Sequence, residues 1–285
     1  MVMESNSCST GQRLWTGAQE SLAEPVRQGA WKFEVRWAEC EADVQAAQRL
    51  RYRVFVQEMG ARLVPSLASD HGLDADRFDP YCDHLLVRAV SEENGNHGPL
   101  IGTYRVMPPH AARRAGGFYT DTEFDLSPLA QLRINAVELG RSCVDPGWRA
   151  GGVIMAMWGA LGQYMLSHRL DTMIGCASVG LCDGGRNAAD LWRRLRSDHL
   201  VAPQWQVAPR TPLPLSLSHD DGLVQDAADS ATAINIPPLI KGYLRCGARL
   251  LGPPALDLAF NTADLPMMLR FDDLAPRYRK HFLGN

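Results

Sequence analysis

The sequence predicts a single domain of the α/β (α+β) class, built around one sheet. Two observations support this prediction: strand patterns alternate along the chain with helical patterns, and no internal repeat divides the 285 residues. The composition, with 46% hydrophobic and 21% charged residues, is that of an ordinary globular protein. A chain of this length can form one large domain or two small ones, and the interleaving of the elements favours one.

The elements follow one another in a clear order. The first thirty residues are rich in Ser, Gln, Glu and Gly without any period, so we expect a disordered tail at 1–30 and one domain at 31–285. Apolar and polar residues alternate over 32–37, which predicts a strand, and apolar residues recur at helical spacing over 41–59. A Pro-rich, then acidic and Ala-rich stretch predicts an irregular insertion at about 201–236. The other predicted elements are strands at 84–90, 100–107, 136–144, 172–178 and 256–260, and helices at 153–169, 186–195, 237–248 and 274–282.

The charge and the cysteine content exclude several classes of protein. A net charge of -3 argues against general nucleic-acid binding. No apolar run approaches the ~18 residues that a membrane span needs. No signal-peptide pattern is present, so we expect a cytoplasmic protein. The seven cysteines form no C-x-x-C pair and the eight histidines are scattered, which predicts reduced thiols and no metal site.

The most informative segment is a strand carrying Glu138 and Arg141, which runs into the turn Arg149-Ala-Gly-Gly152 before an apolar helix. A Gly-rich turn at a helix N-terminus offers backbone N–H groups and the helix dipole to a phosphate. Gly151 and Gly152 would let these groups approach closely, and Arg149 adds guanidinium donors. The alternative is a tight strand-to-helix turn without a ligand, and the pattern alone leaves both open.

Glu138 is the candidate catalytic residue. A carboxylate in a partly dry cleft has a raised pKa and can take a proton from an attacking amine, directly or through water. Backbone N–H groups near Val144 are candidates for stabilising the tetrahedral intermediate. The alternative is a structural ion pair between Glu138 and Arg141. These residues are three apart, so both enter one cleft only if a bulge interrupts the strand.

A charged set upstream could bind an amino acid, with carboxylates for the ammonium groups and arginines for the carboxylate. Its members are Asp74, Asp76, Asp79, Asp83, Arg51, Arg53 and Arg105. The alternative is a solvated acidic loop. Cys143 is not expected to be a nucleophile, because no histidine lies in a partner motif.

Several motifs carry a resemblance to known acyltransferases. Four occur in the order seen in the acyl-homoserine-lactone synthases, a branch of the GCN5-related N-acyltransferase (GNAT) fold: Arg53-Val-Phe55, Asp76-Arg-Phe-Asp79, Gly102-Thr-Tyr-Arg105 and Glu138-Leu-Gly-Arg141. Over about residues 32 to 282 the chain resembles more closely the L-ornithine N-alpha-acyltransferases, the hemolysin-like branch of that fold. This likeness rests on segments such as Phe118-Tyr-Thr-Asp-Thr-Glu-Phe124, Gly175-Cys-Ala-Ser178, Pro238-Leu-Ile-Lys-Gly-Tyr-Leu-Arg245 and Asp257-Leu-Ala-Phe-Asn-Thr262. It implies a central mixed, twisted sheet flanked by helices.

The resemblance implies transfer of a 3-hydroxyacyl group from acyl carrier protein to the α-amine of L-ornithine, which forms lyso-ornithine lipid. Glu138 would be the base or would orient the amine. The turn at 149–152 would hold the phosphopantetheine arm of the carrier, and no permanently bound cofactor is implied. Charged residues would bind the acceptor or brace its pocket: Asp76 and Asp79, with Arg53, Arg105 and Arg141 as their partners.

The resemblance leaves other acceptors and a non-catalytic role open. The enzyme could acylate another amino acid or make acyl-homoserine lactones, or the chain could only bind a carrier or a lipid. Lactone synthases carry a Trp about ten residues after the helix Arg, whereas no Trp lies here between Trp37 and Trp148, which favours the ornithine branch. The acidic carrier needs a basic docking face, and the basic chain end could touch the inner membrane surface. Candidates for that face are Lys241, Arg245, Arg277, Arg279 and Lys280.

Overall fold

The computed structural model describes residues 31–63, 71–93, 96–149, 152–216, 236–275 and 278–279. The tail expected at 1–30 lies outside these residues, as does much of the helix expected at 274–282. None of the helices within the described ranges combines the length and apolarity needed to cross a membrane.

The described strands form a mixed sheet, as expected. They are β1 (Trp31–Trp37), β2 (Asp83–Ser91), β3 (His97–Met107), β4 (Phe124–Asp125), β5 (Ala136–Val144), β6 (Thr172–Gly180), β7 (Ala208–Pro209), β8 (Arg249–Leu250), β9 (Ala255–Asp257) and β10 (Thr262–Arg270). The order in the main sheet is β1-β2-β3-β5-β6-β10-β8, with β9 paired to β10, while β4 and β7 pair separately. The β5–β6 pair is parallel, and the other neighbouring strands are antiparallel.

The sheet forks between its two parallel strands. β5 and β6 are paired only from Ala136 opposite Thr172 to Glu138 opposite Ile174. Beyond that point β5 stays paired with β3 as far as Val144, and β6 stays paired with β10. The fork therefore begins at Glu138.

Helices cover both faces of the sheet. They are α1 (Glu41–Arg51), continued by a π-helical segment (Tyr52–Glu58), then α2 (Pro109–Ala115), α3 (Val153–Ser167), α4 (Arg186–His199) and α5 (Pro238–Cys246). Successive residues of β2 point to opposite faces. Leu85 accordingly packs in a cluster with Val153 and Met157 of α3, whereas Leu86 packs in another with Leu50 of α1. The sheet is therefore a buried middle layer.

One long strand was missed by the sequence analysis. A short strand was expected at 256–260 and none after it, but β9 ends at Asp257 and the nine-residue β10 follows. β10 contains Pro266, a residue that usually argues against a central strand because it lacks an N–H group. The carbonyl of Pro266 nevertheless accepts a hydrogen bond from the N–H of Leu251 at 2.8 Å.

The insertion expected at about 201–236 does not begin at 201. Val201, Val207 and Leu213 are buried, and β7 pairs with β4. Residues 201–216 are thus part of the packed structure, because their apolar side chains cover one end of the sheet. Residues 217–235 lie outside the described ranges.

Candidate active site

A bulge in β5 brings Glu138 and Arg141 into one cleft. Thr103 of β3 pairs with Cys143 and Arg105 pairs with Gly140, so β5 carries one residue more than β3 between these pairs. Arg141 has a φ of +50°, which is the local distortion that the extra residue requires. The bulge that Glu138 and Arg141 need in order to enter one cleft is therefore present.

The Glu138 carboxylate is buried and held from one side. Its Oε2 atom accepts a hydrogen bond from the N–H of Tyr119 at 2.7 Å. Its Oε1 atom accepts from the N–H of Thr120 at 2.7 Å and from the Thr120 hydroxyl at 2.5 Å. Burial raises the pKa of Glu138 above its ordinary value, and the hydrogen bonds from Thr120 and Tyr119 oppose this rise. Three hydrogen bonds fill three of about four acceptor positions on a carboxylate, and the open one is on Oε2.

A network of buried charges surrounds the cleft. Arg51 donates to Asp74 at 2.9 Å and to both oxygens of Asp79 at 3.0 and 2.8 Å. Arg105 donates to both oxygens of Asp76 at 2.7 and 2.8 Å and to Asp79 at 3.0 Å. Burial acts to raise the pKa of Asp79, but the guanidinium groups of Arg51 and Arg105 together outweigh it and hold the pKa well below its usual range. The pKa of Asp76 is also lowered, so Asp76 and Asp79 are both ionised and already paired with arginines.

This pairing favours the bracing role over the acceptor-binding role that was also expected for Asp76 and Asp79. Arg141 completes the network, with Nη2 3.1 Å from Asp76 and Nε 3.5 Å from Asp74. Its guanidinium also lies 4.7 Å from the ring centre of Tyr119. The network ties α1, β3 and the bulge of β5 together.

Arg53 was expected to pair with Asp76 or Asp79, and this expectation was wrong. Its side chain is 49% exposed, and its nearest acidic partner is Asp145 at 3.8 Å. Asp79 is paired with the expected Arg105 and, in place of Arg53, with the fully buried Arg51. The two arginines are two positions apart on one helix and therefore face different directions.

The turn before α3 is only partly described, since Ala150 and Gly151 lie outside the described ranges. Gly152 caps α3 with a φ of +79°, and a Cβ there would meet no atom within 4 Å, so its conformation is reason enough for a glycine. Arg149 donates through both terminal nitrogens to Glu58 at 2.7 Å and through Nε to the carbonyl of Val144 at 3.2 Å. The phosphate contacts of Arg149, Gly151 and Gly152 and the oxyanion contact at Val144 stay predictions.

An apolar cavity of about 750 Å³, including its open mouth, lies at the fork. Leu139 of β5 and Ile174 of β6 line its walls, and α3 contributes Trp158 and Leu161. Tyr243 of α5 also lines it, with its hydroxyl 2.6 Å from that of Tyr104. Cys176 also lines the cavity, and its sulfur lies 3.7 Å from the Thr120 hydroxyl that donates to Glu138, so the cavity and the cleft are neighbours.

The sequence analysis assigned no role to three further acids beside the cleft. Glu123, Asp257 and Asp264 come from different elements, and Tyr119 links them to Glu138, since its hydroxyl donates to Asp257 at 3.1 Å. The sequence did contain a signal for two of these acids, because Glu123 and Asp257 each lie in a motif that carries the family resemblance.

Cys143 is buried, and burial raises the pKa of its thiol to about 12, in line with the expectation that it is not a nucleophile.

Comparison with known proteins identifies the family. Residues 50–159 match the acetyltransferase (GNAT) domain. The chain is 38% identical over 256 residues to the L-ornithine N(alpha)-acyltransferase of Agrobacterium fabrum, covering 88% of this chain and 85% of that protein. It is 37% identical over 253 residues to the protein of that name from Brucella abortus, covering 88% of each. Among solved structures, FeeM, an N-acyl amino acid synthase from uncultured soil microbes, aligns at 12% identity over 87% of this chain and 98% of that one, with a TM-score of 0.49.

The structural likeness is too distant to say anything about the site. The family is therefore assigned from the sequence relatives, which match this chain over most of both lengths. The GNAT domain match begins at the end of α1 and includes the bulged strand and most of the residues of the cleft. The chain belongs to the L-ornithine N(alpha)-acyltransferase family and is an N-acyltransferase of the GNAT fold.

Proposed function

We propose that this chain transfers a 3-hydroxyacyl group from the phosphopantetheine of acyl carrier protein to the α-amine of L-ornithine. The product is lyso-ornithine lipid, and the reaction is the first step of ornithine lipid biosynthesis. The observation that carries the proposal is the identity of 32–38% over 88% of the chain to four proteins that bear the name L-ornithine N(alpha)-acyltransferase. The geometry around Glu138 supports it.

Glu138 is proposed as the base of this reaction. As the α-amine attacks the thioester carbonyl, a C–N bond forms, and Glu138 takes the amine proton directly or through water. The C–S bond then breaks, and the proton ends on the carrier thiol. The raised pKa and the open acceptor position on Oε2 suit this role. Backbone N–H groups near Val144 are proposed to stabilise the oxyanion.

The acyl chain is proposed to occupy the cavity at the fork. Apolar side chains such as Trp158, Leu161 and Met173 line it, so a hydrocarbon chain loses its contact with water there. Cys176 of the cavity wall lies 3.7 Å from the Thr120 hydroxyl that donates to Glu138, which supports a thioester held between the cavity and the base. The turn at Arg149–Gly152 is proposed to bind the phosphate of the phosphopantetheine arm.

Helix α5 is the proposed docking site for the acidic carrier. Its Tyr243 and Cys246 line the cavity, while Lys241 and Arg245 are exposed on the same helix. Replacing both Lys241 and Arg245 by glutamate should raise KM for the acyl carrier thioester at least about 10-fold. The same change should leave turnover of the acyl group on free pantetheine unaltered. Equal effects on both donors would contradict this docking site.

Peripheral contact with the inner membrane surface is a further part of the proposal, because the product is a lipid. Flotation with vesicles that contain anionic phospholipid should carry the protein upward, and neutral vesicles should not. No binding to anionic vesicles would count against it.

The whole reaction is tested in a bacterium that lacks ornithine lipids and expresses the chain with the acyltransferase that adds the second chain. Mass spectrometry of the lipids should detect new ornithine lipid, which Glu138→Ala removes. Glu92→Ala is a matched control, since that side chain is 43% exposed and directly follows β2. A new amide lipid with another head group would show that the acceptor is a different amine. The absence of any new lipid, with folded protein present, would overturn the proposal.

A further inference from the structure

Three acids outside the proposed catalytic machinery meet beside the cleft. Glu123 follows a short 3₁₀ helix (Tyr119–Thr122), Asp257 ends β9 and Asp264 lies on β10. β9 and β10 pair so that Asp257 is opposite Thr262, two residues before Asp264. One carboxylate oxygen each from Glu123 and Asp264 and the Cys176 sulfur all lie within 4.8 Å of one another.

These acids differ from those of the arginine network, because no arginine or lysine within the described ranges forms an ion pair with them. Asp257 and Asp264 have neutral partners: the N–H groups of Ala259 and Phe260 for Asp257, and the Thr262 hydroxyl for Asp264. Both carboxylate oxygens of Glu123 are buried and meet no donor with full hydrogen-bond geometry among the described residues, although Tyr119 and Cys176 lie near enough to oppose the rise of its pKa.

A buried acid without a partner is unfavourable, and so are like charges packed together. Burial, then the charges of Asp264 and Asp257, raise the pKa of Glu123 well above its ordinary value. Burial and the charge of Asp257 likewise raise the pKa of Asp264. A cation bound among the three acids would remove this penalty, so the site is suited to a positively charged group.

We propose that Glu123, Asp257 and Asp264 bind the side-chain ammonium of ornithine and so select a diamino acid as the acceptor. This inference rests on the proposed function. An ammonium group has three N–H donors, and the three acids approach from three different elements. The side chain of ornithine would then be held at one end, with its α-amine directed to the thioester.

The position of the acids fits a substrate that spans both sites. The Thr120 hydroxyl donates to Glu138 at 2.5 Å and lies 3.7 Å from the Cys176 sulfur. Tyr119 likewise bridges the two sites, with its N–H on Glu138 and its hydroxyl on Asp257. The ammonium site and the base are therefore separated by the width of this short segment, as the two amines of one small molecule require.

The first test compares wild-type protein with ornithine and with 2-aminopentanoic acid, which has the same carbon chain without the side-chain amine. Calorimetric binding needs no acyl donor, so it separates this inference from the proposed reaction. Ornithine should bind at least about 100-fold more tightly, since a site built for N–H groups rejects a substrate that lacks them. Equal binding of both would overturn the inference, even if ornithine is acylated.

The second test uses Glu123→Gln and Asp264→Asn, with Glu92→Gln as the matched control and thermal unfolding as the check on folding. For Glu123→Gln, kcat/KM for ornithine should fall about 10- to 100-fold, mainly through KM. Turnover of 2-aminopentanoic acid should stay within about 2-fold of wild type, because that substrate makes no use of the acids. A purely structural role would lower both substrates equally and overturn the inference.

A bound metal is the competing occupant, since Glu123, Cys176 and Asp264 could also ligate one. A metal would have to displace the proton of the Cys176 thiol, whose pKa burial and the neighbouring carboxylates raise well above its ordinary value. Wild-type protein incubated with zinc and dialysed should retain no stoichiometric metal. One equivalent retained by the wild type and lost in Glu123→Gln would overturn the ammonium site.

Discussion

The contrast between Arg51 and Arg53 gives the sharpest prediction about stability. Arg51 is fully buried and holds Asp74 and Asp79, so Arg51→Gln leaves buried carboxylates without their main counterion. Asp79 would keep Arg105 at 3.0 Å, whereas Asp74 would keep only a distant guanidinium at 3.5 Å. Breaking a buried pair costs roughly 3–5 kcal/mol, and the remaining partner of Asp79 suggests about 3 kcal/mol here.

The matched variant is Arg53→Gln, which removes an exposed side chain 3.8 Å from its nearest acid and should change the free energy of unfolding by less than about 0.5 kcal/mol. For a protein of this size, about 3 kcal/mol corresponds to a fall in Tm of roughly 6–12 °C. Urea unfolding followed by circular dichroism measures both variants. Equal losses, or an Arg51→Gln protein within about 1 kcal/mol of wild type, would refute the assignment of Arg51 to the network.

Three other predictions follow from the site. Thr120→Val removes a hydrogen bond that lowers the pKa of Glu138. The acidic limb of the plot of kcat/KM against pH should therefore shift to higher pH by about 1 unit. An unshifted limb would contradict the role of Glu138 as the base. Burial and the charge of Asp264 raise the pKa of Glu123 in the folded protein to about 9 from 4.5, so the protein loses stability as the pH rises through this range. Glu123→Gln should therefore flatten the dependence of Tm on pH between 5 and 9. An unchanged slope would contradict the raised pKa of Glu123. Leu161→Phe narrows the cavity, so the acyl length that gives the highest kcat/KM should become shorter, and an unchanged optimum would place the chain elsewhere.

The local patterns predicted most elements, because strands and helices with one clear period are decided by their own residues. β5 was predicted with its observed bounds of Ala136–Val144, whereas its bulge was only named as the condition for Glu138 and Arg141 to share one cleft. β10 was missed because Pro266 lies in the middle of it, and a proline usually argues against a central strand.

The error at Arg53 was avoidable from helical spacing. Arg51 is four residues after Ala47 and three before Val54, both buried, so it lies on the apolar face of the helix, whereas Arg53 does not. The motif that carried the resemblance, Arg53-Val-Phe55, contains Arg53 but not Arg51. Periodicity is the better guide to which of two nearby charges enters the protein.

Motifs of the family resemblance contain Glu123 and Asp257, but the meeting of these acids with Asp264 could not be predicted from the sequence. Glu123 and Asp264 are far apart in the chain and meet because β10 lies next to β6 while a short helix folds over the same end of the sheet. No local pattern encodes this contact. Among the described residues no arginine pairs with these acids, which sets them apart from Asp74, and only the folded structure shows this.

The central claim is that the cleft at Glu138 acylates the α-amine of ornithine. The most direct test incubates the purified chain with 3-hydroxyacyl carrier protein and ornithine labelled with ¹⁵N at the α position. Mass spectrometry should find the label in the amide of the product, with one carrier thiol released per product and no product from Glu138→Ala. An amide on the unlabelled side-chain nitrogen, or no amide from folded protein, would contradict the account.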